Sequence, residues 1–157
     1  MPQDLANKVR IEPATLDDLP QLVDMLMELF EIEADFEPDR QKQEDGLRLL
    51  LEQPSRGRIF ALRNDHSVIG MVNTLSTIST AEGGFVMLLE DFFIHPAHRS
   101  QGFGHQMLQY VVDYAKKKNF KRITLLTDKI SEESQRFFQQ NGFNFSNMIP
   151  MRMSIDS

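Results

Sequence analysis

An α/β domain, with a mixed and mostly antiparallel central sheet of about six to seven strands flanked by helices, is the fold class this sequence predicts. Three observations lead there. Strand-like and helix-like runs alternate from residue 9 to residue 155. Some neighbouring strand runs are joined by hairpin turns and others by whole helices, so antiparallel and parallel pairs share one sheet. The run 85–94 is almost wholly apolar, as expected of a mid-sheet strand covered on both faces.

The elements follow in order. Val9–Glu12 reads as a short first strand. Thr15 then caps a helix whose first turn carries Asp17 and Asp18, and Leu19, Leu22, Val23, Leu26, Leu29 and Phe30 recur at helical spacing. Residues 31–39 are acidic at every second position, the usual mark of a solvated loop. A second helical pattern occupies 40–52 through Leu47, Leu50 and Leu51 and ends before Pro54. Gly57–Leu62 and Val68–Leu75 read as strands joined by an Asn64-Asp65-His66 turn, and Ser79–Gly84 is the next turn. After the strand 85–94 comes a helix at about 102–117 with apolar residues at 103, 107, 108, 111, 112 and 115. Arg122–Thr127 is a further core strand. Residues 131–141 form a short helix stopped by Asn141-Gly142, and Phe143–Ile155 reads as a final bent strand or hairpin arm broken near Pro150.

With 157 residues the chain suits one domain, its core at about 8–155, and is too short for two ordinary ones. The net charge of −6 argues against a broad nucleic-acid surface. No apolar run approaches the length that crosses a bilayer, so no membrane partner is expected. The start, Met1–Leu5, is polar and does not read as a secretory leader. Cysteine is absent, which removes disulfides, thiolate nucleophiles and Cys metal sites and fits a cytoplasmic protein. His95, His98 and His105 have no acid at a familiar ligand spacing, so they read as packing and surface residues and no metal is expected. The methionines read as core filler or pocket lining.

The most informative stretch is Arg99-Ser100-Gln101-Gly102-Phe103-Gly104, between a strand and the start of a helix. The first N–H groups of a helix lack intrahelical partners, and the helix dipole adds partial positive charge there. Glycine lets an anion approach the backbone closely, and Arg99 can add forked hydrogen bonds. A phosphate or pyrophosphate is the ligand group this arrangement suits. A dinucleotide loop or P-loop fits less well, because the third glycine and the P-loop lysine are missing.

Glu90–Gly104 resembles the acetyl-CoA motif of the GNAT-type N-acetyltransferase superfamily: a strand ending in an apolar residue, one further residue and Pro96, then Arg99, Gly102 and Gly104 opening a long helix. Ser131–Phe143 is similar to the family's second signature. The resemblance covers roughly residues 8–155. It implies a splayed strand pair that holds the pantetheine arm on backbone groups of Phe92 and Ile94. It also implies a strand N–H near Phe93 for the thioester carbonyl, and a pyrophosphate wrapped by N–H groups from Ser100 through Gln101, Gly102, Phe103 and Gly104 to His105. The implied reaction is transfer from acetyl-CoA to a primary amine by direct attack, with a small-molecule acceptor first and a peptide or protein amine second; a homodimer stays open. Glu90 is the candidate general base. Asp91, one residue on, is expected on the opposite sheet face and structural.

Two departures from the family pattern stand out. Phe138 replaces a Tyr that would protonate the departing thiolate, leaving water, Tyr110 or Tyr114, or a domain that binds acyl-CoA with weak or no catalysis. Ser131 replaces an Asn; it can cap its helix, and its hydroxyl is expected near the pantetheine. The acidic run 31–39 would, at the acceptor side, favour a cationic amine.

Overall fold

The computed structural model describes residues 8–33 and 35–155; Met1–Leu5, read above as no leader, lies outside them. The chain forms two compact units, Met1–Leu126 and Thr127–Ser157.

The first unit holds the sheet. Strand β1 (Arg10–Pro13) leads into a 3-10 turn, Leu16–Asp18, and helix α1 (Leu19–Ile32). Thr15 donates its backbone N–H to the Asp18 carboxylate at 2.9 Å, and Pro20 sits in the first turn of α1, where a missing N–H costs nothing. Helix α2 (Arg40–Glu52) starts at Asp39, whose carboxylate accepts from the Lys42 N–H. Arg40 forms an ion pair with Asp24 of α1. Strands β2 (Gly57–Arg63), β3 (Val68–Ser79) and β4 (Gly84–Ile94) follow, then a short 3-10 turn, helix α3 (Phe103–Lys117) and strand β5 (Ile123–Leu125).

The sheet order is β1-β2-β3-β4-β5. The first three pairings are antiparallel, while β4 and β5, joined through α3, are parallel. Alternation along β2 covers both faces. Ile59 and Ala61 join Leu22, Val23, Leu26 and Leu47 in the core beneath α1 and α2. Phe60 points the other way, its ring 5.1 and 4.9 Å from those of Tyr110 and Tyr114 on α3. Burying a ring of that size contributes about 2–3 kcal/mol. The two tyrosines are thus packing residues.

In the second unit α4 spans Glu132–Gln140. Ser131 caps it, its Oγ accepting from the Ser134 N–H at 3.3 Å. The Phe138 ring packs 5.2 Å from Phe137 and 5.9 Å from Phe143. The last strand expected over 143–155 is not formed, so among the described residues the sheet has five strands and not six to seven. Ile149, Met151, Met153 and Ile155 do recur at every second position, yet they are 84, 95, 82 and 89% exposed. The pattern marks a face to bury, but a strand exists only where a ladder partner accepts it, and Pro150 removes one donor.

Candidate active site

The ladder between β3 and β4 is broken at one place. Asn73 is opposite Glu90 and Met71 is opposite Phe93, so Val72 alone faces both Asp91 and Phe92. This is a β-bulge, and Asp91 takes it up with φ of +54°. Left-handed backbone favours glycine, but Asp and Asn are the side chains that tolerate it best. The bulge cancels the alternation expected from the sequence. Glu90 and Asp91 do not point to opposite faces; both line one cavity.

That cavity has a volume of about 400 Å³. Its wall is apolar, from Leu26 and Phe30 of α1, Leu47 and Leu50 of α2 and Leu75 of β3, and its polar end is Asn73, Glu90 and Asp91. Lys42 and Arg56 also line it. Asn73, 5% exposed, donates Nδ2–H to the Asp91 carboxylate at 2.7 Å, while its Oδ1 is buried without a hydrogen-bond partner. Leaving such an acceptor unmatched costs about 1–3 kcal/mol. Burial pushes the Asp91 carboxyl up to about 6; the neighbouring Glu90 charge adds to the rise and the hydrogen bond from Asn73 opposes it. Glu90 itself is exposed at the mouth.

Beyond the bulge, β4 gains an open edge. β5 pairs only with Met87, Leu88 and Leu89, so from Glu90 to Ile94 that edge has no strand beside it among the described residues. His95 donates its N–H to the Ile69 carbonyl directly opposite at 2.8 Å. Alternation then turns Phe93 toward β3 and the backbone of Ile94 and Phe92 toward the open edge. The Ile94 carbonyl is taken by Arg99 Nε at 2.8 Å, so Ile94 offers that edge its N–H only. The strand N–H nearest Phe93 that faces the opening is therefore that of Ile94.

The turn that follows presents a row of hydrogen-bond donors. Arg99 is anchored through Nε and by stacking its guanidinium 5.1 Å above the Phe93 ring, and its Nη groups have no acceptor among the described residues. Ser100 and Gly102 are left-handed, with φ of +62° and +83°. Such turns direct successive N–H groups to one side. The N–H groups of Ser100, Gln101, Gly102, Phe103 and Gly104 donate to no protein partner among the described residues, while the Gln106 N–H already donates back to the Gly102 carbonyl. No atom lies within 4 Å of where a Gly102 Cβ would stand, so the approach to these donors is open.

Comparison with known proteins decides the family. The sequence model of the Acetyltransferase (GNAT) family matches residues 19–143, across the boundary between the two units. The chain belongs to the GNAT acetyltransferase family. It is 29% identical over 105 residues, 67% of this chain and 70% of the other, to the uncharacterized N-acetyltransferase YhfO of Bacillus subtilis (strain 168). Its fold is similar to that of a possible acetyltransferase from Clostridium difficile 630, with a TM-score of 0.86 at 15% identity over 95% of this chain and 99% of that one. It is similar too to a predicted acetyltransferase from Clostridium acetobutylicum with acetyl-CoA, with a TM-score of 0.74 at 16% identity over 92 and 96% of the two chains.

In this GNAT acetyltransferase the structure gathers Glu90, Phe92, Phe93, Ile94, Arg99, Ser100, Gln101, Gly102, Phe103, Gly104 and His105 along one strand, turn and helix start. Ser131 and Phe138 belong to the second unit, where the first is a helix cap and the second part of a phenylalanine cluster. No described residue of 31–39 lines the cavity. Sequence reasoning missed Asn73 and the orientation of Asp91. Two adjacent acids in the middle of an apolar strand were the one available signal of a bulge. No helix among the described residues is long and apolar enough to cross a membrane.

Proposed function

We propose that the two units act as one domain that transfers an acetyl group from acetyl-CoA to a primary amine of a small molecule, by direct attack and without an acyl-enzyme. One observation carries this reading: a turn of N–H donors unpaired among the described residues, an open strand edge and a carboxylate-ended cavity succeed one another along β4. The residues present fit the cofactor. The N–H groups from Ser100 through Gly104, with His105 and the Arg99 guanidinium, suit a pyrophosphate. The edge at Phe92, Phe93 and Ile94 suits an amide-bearing arm laid down like a further strand, as in other strand-addition modes. Ser131 is assigned to the same arm on the family resemblance alone. The structural neighbour with acetyl-CoA supports the choice of thioester.

Bound there, the thioester supplies an activated acetyl carbonyl. The Ile94 N–H faces the edge where charge develops on the carbonyl oxygen. The apolar cavity wall excludes water and holds the body of the acceptor. A cavity of about 400 Å³ suits a small amine. Glu90, at its mouth, is the proposed base, the carboxylate through which the ammonium proton leaves the site for solvent. The acceptor is cationic through its ammonium; the described acids of the run 31–39 are not among the residues that line the cavity, and Lys42 and Arg56 on its wall disfavour a polycation.

Thiol release from acetyl-CoA with a panel of primary amines tests the assignment. Release is expected to depend on an amine and to fall about 100-fold or more in Glu90→Gln. Tight acetyl-CoA binding with no amine-dependent release would favour the second reading, a binding module with weak catalysis, for which Phe138 in place of Tyr is the supporting feature.

A further inference from the structure

We propose that Asp91 and Asn73 together form the seat of the acceptor's amine, and that Asp91, not Glu90, is the first group to take its proton. This rests on the amine-acetylation reading above and assigns residues within it. Four observations converge on the pair. The bulge spends a left-handed backbone on turning Asp91 into the cavity when an unbroken strand would have turned it away. Asn73 donates to Asp91 and so fixes its own amide orientation, which leaves Oδ1 as a buried acceptor with nothing to accept. A protonated amine has the complementary groups: one N–H for Asn73 Oδ1, one for the Asp91 carboxylate, and an apolar body for the leucine wall. Finally, burial holds the Asp91 carboxyl near 6, so it is ionised at neutral pH and yet far more basic than an ordinary aspartate.

The charged groups around this seat are few. Glu90 comes from the same strand, and Lys42 of α2 and Arg56 of the turn before β2 line the same cavity; neither cation is within ion-pair distance of Asp91. Helix α1 contributes only Leu26 and Phe30, and β3 contributes Asn73 and Leu75. In the step itself, R–NH3⁺ gives one proton to Asp91. The freed lone pair forms the C–N bond with the thioester carbon, the C–S bond breaks with its electrons going to sulfur, and the second N–H proton passes to the thiolate or to water. Exposed Glu90 returns the Asp91 proton to solvent.

The test uses the full chain, with 2-phenylethylamine as probe and 2-phenylethanol as its neutral counterpart, followed by NMR of the Asn73 side-chain amide and the Asp91 carboxyl carbon. The amine is expected to move both resonances and to lower the Asp91 midpoint from about 6, and the alcohol to move neither. Asp91→Asn, which keeps shape and tolerates the left-handed backbone, should weaken amine binding by ~10-fold or more. Glu90→Gln should keep the response and lower the Asp91 midpoint, because a repelling charge is gone. Equal responses to amine and alcohol, or an amine response that survives Asp91→Asn, would overturn the proposal. Calorimetry with acetyl-CoA on the same samples separates the two claims: absent binding there sinks the transferase reading and leaves the amine seat standing.

Discussion

Asp18 shows how much one side chain fixes in this molecule. It is 6% exposed and receives both Nη groups of Arg63 at 2.9 Å, tying the start of α1 to the end of β2, while Arg63 Nε lies 2.7 Å from Glu12. The hydrogen bonds from Arg63 hold the Asp18 carboxyl below its usual range, and the same partner raises the guanidinium further. The unfolded chain therefore binds this proton before the folded one does as pH falls. The stability Asp18 confers is complete above about pH 5 and is lost as pH drops through its folded value. Asp18→Asn is expected to cost about 3 kcal/mol at neutral pH, because a mostly buried guanidinium loses its main counter-charge. Denaturant midpoints should also show a flatter acid limb in the variant than in the parent. An unchanged midpoint would mean that Glu12 alone holds Arg63.

At the scale of elements, two glycines serve opposite purposes. A Cβ at Gly57, the first residue of β2, would run into the Thr74 carbonyl and Leu50 Cδ1. Gly57→Ala should cost about 3 kcal/mol in thermal or chemical unfolding, as overpacking against backbone does. A Cβ at Gly102 meets nothing, so Gly102→Ala pays only the left-handed backbone, about 1 kcal/mol, and any larger effect must be on a ligand. The turn around Gly102 was legible in the sequence because its cause is local: a strand end, a cation, glycines and a helix start stand side by side. So were α1, α3 and the alternating β2, where period alone names the buried face. The orientation of Asp91 was not legible, since a period of two assumes an unbroken ladder and the bulge is set by pairing with Asn73, 18 residues away. Phe143–Ile155 fails for the related reason that alternation without a partner makes no strand.

For the whole molecule, a turn rich in N–H donors, an open strand edge and a carboxylate-ended cavity stand in series along β4, and the proposed transfer requires the diphosphate of acetyl-CoA to lie at the turn if its sulfur end is to reach the cavity. Calorimetric titration of acetyl-CoA into the parent chain and into Gly102→Ala, which retains its fold, tests this most directly. Saturable one-to-one binding by the parent is expected, weakened ~10-fold or more in Gly102→Ala as the added methyl group enters the diphosphate's approach. Equal affinities in the two proteins, or no binding to the parent, would contradict it.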